Sequence, residues 1–364
     1  MADRPGVFPG LDAAVLERFE AVGGALQQPI VTVDSHTAGE PTRLVVGGLP
    51  PLPGETINDR RLYVAREMDF VRHLLMREPR GHRDMFGAIV TEPVSPEAAF
   101  GLIFMDTGRY PYLCGHATIG AVTTLIEAGA IEPREPETVV VIDTPSDTIT
   151  ARAQVRAGRV RSVAFQAEAA FVYQLDRPLD VPGLGTVSVD VVCAGGFFVM
   201  APADDIGLAL APANAGELAR LGAIITDAAN EQLSVQHPAL PYMNTVDVVE
   251  FYGPGERAQA DGKSVVILGD AQVDRSPCVT GTCAKMALLH HRGELAVGKS
   301  YVNEGVLGTV FEGRVVAETR VGDLPAIVPE VRGSAHVTGV HYFLLDPEDP
   351  FPNGFLLGAP ADER

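Results

Sequence analysis

Two cysteines stand where a thiol could do chemistry. The first belongs to Asp274-Arg275-Ser276-Pro277-Cys278-Val279-Thr280-Gly281-Thr282, which runs into an apolar, helix-like stretch, 284–291. Pro277 sets its own φ and stops any element arriving from its left. Cys278 therefore sits where a helix begins. Free N–H groups and the positive end of the helix dipole there lower a thiol's pKa toward a reactive thiolate, and they also hold an anion such as a carboxylate. Standing alone, a cysteine before a helix is more often a small buried apolar residue.

A second copy changes that balance. Cys114-Gly115-His116-Ala117-Thr118 opens another helix-like run, 119–128. Both copies place a Thr four after the Cys (Thr118, Thr282) and a Leu eleven after it (Leu125, Leu289). Both stop at a Gly fifteen after it (Gly129, Gly293), a helix C-cap signal, and resume with an aliphatic residue at seventeen (Ile131, Leu295). The repeat implies two similar halves, each with a cysteine at a helix start. Facing halves put two thiols across one cleft.

The elements that must position them are mostly strands. Short β-rich runs predict strands over 30–34, 43–46, 88–90, 102–105, 139–142, 149–155 and 160–165 in the first part of the chain. The second part offers 187–193, 245–252, 264–268, 306–311, 315–319, 326–331 and 334–345. Helical spacing is read over 67–77, and over 215–233 with an interruption at Gly222. Strand-rich halves with one long helix each suit an α+β class. Residues 1–29 read as an extension with Leu11, Val15, Leu16, Phe19 and Val22 on one helical face. They lack the basic start and long apolar core of a signal peptide.

Composition narrows the function. A length of 364 residues favours two domains. The net charge of −19 argues against nucleic acid and anionic membranes as partners. Four cysteines (Cys114, Cys193, Cys278, Cys283) are too few and scattered for a disulfide framework and suit a reducing cytoplasm, with Cys193 read as a buried structural thiol. No apolar run is long enough to span a membrane. No G-x-G-x-x-G follows a strand, and the segment ending at Lys285 lacks P-loop glycine spacing. The histidines, His82 included, make no zinc-ligand spacing with a Cys pair. Lys285 reads as an ordinary polar-face helix residue rather than a Schiff-base lysine. No cofactor and no metal are expected.

The chain resembles the proline racemase family, which includes hydroxyproline epimerases and trans-3-hydroxyproline dehydratases. The resemblance rests on the two Cys segments, on Asp34-Ser35-His36-Thr37-Ala38-Gly39-Glu40-Pro41-Thr42-Arg43, and on Glu78 to Ala88. Gly195-Gly196-Phe197-Phe198, Asn244 to Glu250 and Asp349 to Phe355 extend it. The family implies two pseudo-symmetric β-barrel-like halves, each around a central helix, with the last strands returning to the first half. That gives 30–166 plus 334–358 as the half carrying Cys114, and 167–333 as the half carrying Cys278. The resemblance assigns Cys114 and Cys278 as the acid–base pair. It assigns His116 and Asp274 to the substrate's ring nitrogen, and the backbone of Gly115, His116, Val279 and Thr280 to its carboxylate. Phe86 and Leu268 become pocket walls. Val279 stands where Gly is usual, Leu268 where proline-specific members often carry Phe, and Gly305 where Ser is common.

The expected function is a cofactor-independent racemase acting on proline, as a homodimer, with a small amino acid as its only other partner. Epimerisation of 4-hydroxyproline is the near alternative. Dehydration of trans-3-hydroxyproline is a further one, disfavoured because dehydratases of the family usually carry Thr at the position of Cys278. A binding protein without turnover is the reading from another class, and retention of both thiols disfavours it.

Overall fold

The computed structural model describes residues 29–269 and 271–357. The amphipathic stretch around Leu11 to Val22 lies outside the described residues. The fold is mixed α/β, with seventeen strands among the described residues joined in one sheet.

The strands pair in the same way twice. In the first set β1 (Ile30–Thr37) runs antiparallel to β2 (Glu40–Gly47), which runs parallel to β3 (Phe86–Thr91). β3 is antiparallel to β4 (Phe100–Asp106), and after a helix β4 is parallel to β5 (Glu137–Asp143). β5, β6 (Thr148–Arg156) and β7 (Arg159–Gln166) form a meander. The second set repeats this order. β9 (Gly185–Cys193) is antiparallel to β10 (Phe197–Pro202), which is parallel to β11 (Val246–Gly253). β11 is antiparallel to β12 (Gly262–Leu268), itself parallel to β14 (Ser300–Glu304), and β14, β15 (Val310–Val321) and β16 (Leu324–Gly333) close the meander. β8 (Phe171–Val181) flanks β9, as β17 (Ala335–Phe343) returns to flank β1. β13 (Gln272–Val273) is a short addition on β12. Antiparallel pairing of β7 with β16 joins the two sets.

The remaining helices are α1 (Ile57–Glu67), α2 (Phe70–Met76), α3 (Gly115–Glu127), the single turn α4 (Ala203–Ile206), α5 (Ala215–Gln232) and α6 (Val279–His291). Crossing from β4 to β5 and from β12 to β14 in parallel requires a long connection, and α3 and α6 supply it. α3 is buried from Gly115 through Ile126, as a helix apolar on all sides must be. Both helices belong to one core cluster with Phe104, Phe165, Phe198 and Phe311.

Several local expectations are corrected. α1 was not anticipated because its mean composition is polar; a capping box at Thr56 and Asp59 starts it instead. The predicted helix 67–77 begins only at Phe70. Gly222 does not interrupt α5; its missing side chain admits Ile267, whose Cβ lies 2.6 Å from where a Cβ on Gly222 would stand. The run 306–311 is strand only from Val310, and β14 and β10 were missed because each is short and follows a turn.

Candidate active site

The two cysteine segments are built alike. Cys114 is the N-cap of α3 and Cys278 the N-cap of α6. The Thr four residues on turns its hydroxyl back to the cysteine carbonyl, Thr118 at 2.8 Å and Thr282 at 2.7 Å. Gly129 and Gly293 end the helices with φ of +77° and +76°, and Ala130 and Glu294 donate back to the carbonyls of Leu125 and Leu289. Only glycine takes that backbone conformation without strain.

The helix starts meet. A Cβ on Gly115 would stand 2.5 Å from Cβ of Val279 and under 3 Å from both its γ-methyls. Gly115 thus makes room for the valine found where Gly is usual in the family. The first N–H groups of both helices, at Gly115–His116 and Val279–Thr280, lie at the helix starts, where a helix leaves its donors without intrahelical acceptors.

Around Cys114, His116 places Nδ1 3.2 Å from Sγ, and Phe86 packs edge-on to the His116 ring at 4.7 Å between centroids. Thr37 in β1 donates to the His116 carbonyl at 2.8 Å. Burial drives the His116 pKa down to about 3, against a partial counterweight from the Pro41 carbonyl, so the ring is neutral at pH 7.

Around Cys278 the backbone has φ of +59°, a conformation that non-glycine residues rarely adopt. Asn303 holds the turn, donating to the Pro277 carbonyl and to the hydroxyls of Ser264 and Thr282. Gly305 is forced by the same turn: a Cβ there would stand 2.7 Å from Pro277 N. Asp274 accepts from Ser276 N–H at 2.8 Å and from its hydroxyl at 2.7 Å, and that hydroxyl accepts from Cys278 N–H at 3.0 Å. Thr280 Oγ1 lies 3.4 Å from Cys278 Sγ, and Gly281 N–H donates to the same sulfur at 3.4 Å. Leu268 ends β12 half-buried and joins the others only through the shared core.

One acid escaped the sequence reading. Glu40 is 2% exposed, accepts from Arg275 N–H at 2.7 Å, and interacts electrostatically with both Asp274 and Cys114. Burial and the charge of Asp274 push its pKa well up. Its only sequence signal is its place inside the 34–43 segment. Arg275 also pairs with Asp84 at 2.7 Å, tying the Glu78-to-Ala88 segment to the site.

The thiol expectation is corrected in sign. Helix starts were expected to lower both pKa values, yet both rise well above the ordinary thiol value. For Cys114 burial comes first, opposed by the N–H groups of Ala117 and His116 and reinforced by Asp274 and Glu40. For Cys278 burial comes first and Asp274 second, opposed by Thr280 and Gly281. Desolvation of a thiolate beside buried carboxyls outweighs a few backbone dipoles. Cys193 and Cys283 are buried free thiols, and His82 accepts from Asp84 N–H as an ordinary loop histidine. Lys285 is not a polar-face residue: it is 8% exposed, with Nζ 3.3 Å from the Tyr252 ring centroid. Among the described residues no three His, Cys, Asp or Glu side chains are grouped to hold a metal ion, and no helix is long and apolar enough to cross a membrane.

A mixed α/β chain with paired cysteines at two abutting helix starts defines the class of protein. The family profile described as proline racemase matches residues 32–356. A proline racemase of Clostridioides difficile is 46% identical over 328 residues, covering 90% of this chain and 98% of that one. A 4-hydroxyproline 2-epimerase of Streptosporangium roseum is 43% identical, covering 89% and 97%. The crystal structure of a probable proline racemase from Agrobacterium radiobacter, with bound carbonate, superposes with a TM-score of 0.82 at 32% identity, covering 92% and 97%. The chain belongs to the proline racemase family and is an enzyme of its isomerase type.

Proposed function

We propose that this enzyme interconverts L- and D-proline without a cofactor, by proton transfer at Cα between two thiols. The observation that supports the reading is the contact of Gly115 with Val279, which brings together the starts of α3 and α6, the two helices that Cys114 and Cys278 cap. One thiolate removes the Cα proton and the opposite thiol returns one to the other face; the roles then exchange. Substrate carboxylate between the helix starts takes up the charge that develops, through donors already fixed in place. Its bound positive ring nitrogen, held by Asp274 with neutral His116 beside it, offsets the carboxylates that keep the thiols protonated in the free enzyme. Glu40 supports the same role for Asp274. Phe86 faces the apolar ring.

The repeated strand order supports pseudo-symmetric, barrel-like halves, 30–166 with 334–358 and 167–333, each wrapped on its helix. A homodimer in the cytoplasm completes the reading. Proline is preferred over its hydroxylated forms because Phe86 and Leu268 make a mostly apolar wall. A pocket that merely lacks a partner for a hydroxyl discriminates by about a hundredfold at most.

The test offers L-proline, trans-4-hydroxy-L-proline and trans-3-hydroxy-L-proline in heavy water, followed by chiral chromatography and NMR. Inversion of proline with deuterium at Cα is expected, with the highest kcat/KM of the three. A much higher kcat/KM for trans-4-hydroxy-L-proline makes the enzyme an epimerase with the same chemistry. Loss of hydroxyl from the 3-hydroxy compound as the dominant reaction overturns the two-base reading.

A further inference from the structure

Behind Cys278 lies a carboxyl that the proposed chemistry does not use. Glu250 sits in the middle of β11, wholly buried, and neither carboxyl oxygen has a partner in good hydrogen-bond geometry among the described residues, although the Ser264 hydroxyl exerts a pull on it. Such a placement is unfavourable; a buried polar group normally finds a partner, and an apolar residue of similar size would be more stable there. Its position explains what it faces. A Cβ on Gly281 would stand 3.1 Å from Glu250 Oε2 and 3.1 Å from Cys278 Cβ. The carboxyl and the thiol therefore flank the same backbone carbon in the first turn of α6, whose N–H donates to the Cys278 sulfur. Glycine at 281 leaves the space that lets the carboxyl approach.

We propose that Glu250 is a positioning residue for Cys278: when ionised it holds the thiol protonated, and when neutral it lets the thiol ionise. The inference rests on the reading of Cys278 as an acid–base group. One turn along α6 from Gly281, Lys285 supplies the opposing charge, and it lines a cavity of about 310 Å³ with Tyr252, Asp261 and Tyr301. Burial raises Glu250 to about 8, against the pull of Lys285 and the Ser264 hydroxyl, and lowers Lys285 to about 8. The carboxyl thus changes charge in mildly alkaline solution rather than in acid. Other charged or titratable groups facing these residues are Asp274 at Cys278, Tyr252, Cys283 and Tyr301 at Glu250, and Arg292, Glu294 and Asp190 at Lys285. All of them, and Lys285, are common to both arms of the comparison below; only Glu250 differs.

The experiment follows alkylation of Cys278 by iodoacetamide across pH, resolved by peptide mass spectrometry, in the unaltered chain and in Glu250→Gln. Glutamine keeps the shape and removes the charge. The two rates are expected to agree near about pH 6.5, with the variant about tenfold faster near about pH 9, the effect of one unit in thiol pKa. A ratio that does not change with pH overturns the proposal, because loss of packing alone carries no pH dependence. Should circular dichroism show the variant unfolded, the unaltered chain decides. Below its pKa a lone thiol gains tenfold in rate per pH unit, and coupling to Glu250 must make the rise sag around about pH 8. An unbroken tenfold rise overturns the proposal. Alkylation does not depend on turnover. If Cys278→Ser still inverts proline, the catalytic reading fails while the coupling of Glu250 to the thiol is judged separately.

Discussion

At the scale of single residues, the site sets weak dipoles against strong desolvation. Burial, first of all, raises both thiols, with Asp274 adding to it at each and Glu40 at Cys114; under the proposed function, a bound substrate cation would favour ionisation of one of them. Changing either Cys114 or Cys278 to Ser is expected to lower the rate of proline inversion by at least about a thousandfold, since a serine hydroxyl is far too weak a base at neutral pH. Binding survives, and exchange of the Cα hydrogen from one face persists. Cys193→Ser and Cys283→Ser stay within a few-fold. Polarimetry beside NMR exchange separates these outcomes, and near-normal inversion by either active-site variant places the second base elsewhere. His116 gives a prediction with a different sign. Its folded pKa is about 3, below the ordinary value of about 6.5. Between those values the unfolded chain takes up a proton that the folded chain refuses, so stability falls as pH drops below about 6.5. His73, lowered to about 4 by burial and by Arg72, adds to the same trend. Urea midpoints measured from neutral to acid pH should fall, and His116→Gln should flatten the fall; an unchanged slope in that variant would remove His116 from the account.

At the scale of elements, the helix pair is a matched fit. Gly115→Ala drives a methyl into Val279, whose neighbours are packed and have no room to move aside. Overpacking of this kind costs about 1–3 kcal/mol, and here it also spreads the two helix starts, so kcat/KM for proline should fall with stability. Val279→Gly alone opens a small gap. The double change Gly115→Ala with Val279→Gly should recover most of both losses, because residues in contact do not act additively. Thermal unfolding and kinetics on the four chains check this; strict additivity would mean that the two residues do not touch in solution. The motif segments also serve as braces. Asp34 pairs with Arg43 across β1 and β2, and the Arg43 guanidinium donates to the Leu75 and Arg80 carbonyls. Arg80 in turn pairs with Asp349, and Glu78 bridges to Phe355, so two segments far apart in sequence form one structural corner.

At the scale of the whole molecule, the two strand sets meet through β7 and β16, through the helix starts, and through polar contacts such as Arg275 with Glu40 and Asp84 and Thr309 with the Ala38 carbonyl. β8 to β10 and α5 form a separate apolar cluster with β11 and β12. A planar analogue of the deprotonated ring, pyrrole-2-carboxylate, should therefore protect Cys114 and Cys278 together from iodoacetamide, with one apparent affinity for both. Peptide-resolved alkylation against analogue concentration measures it. Protection of one cysteine alone would mean that the two do not share a ligand.

The paired cysteine segments were legible from local sequence because their signals are local. A cysteine after a turn, a Thr that bonds back four residues, and a glycine that takes positive φ at a helix end act within a single element, and their repetition at the same spacings disclosed the two halves. The resemblance carried the assignment of Asp274, His116 and Phe86, all of which the fold brings to the cysteines. Burial was not legible, and it decided everything that depends on dielectric. Glu40, Glu250 and Lys285 read as unremarkable charges in the chain and become buried groups only when distant strands close over them. The rise of the thiol pKa values has the same origin: helix dipoles are a property of the segment, whereas desolvation and the approach of Asp274 and Glu40 exist only in the folded molecule. Strand partners, including the return of β17 to β1 and the joining of β7 to β16, likewise depend on contacts between residues well over a hundred positions apart, which no periodicity within a single strand can encode.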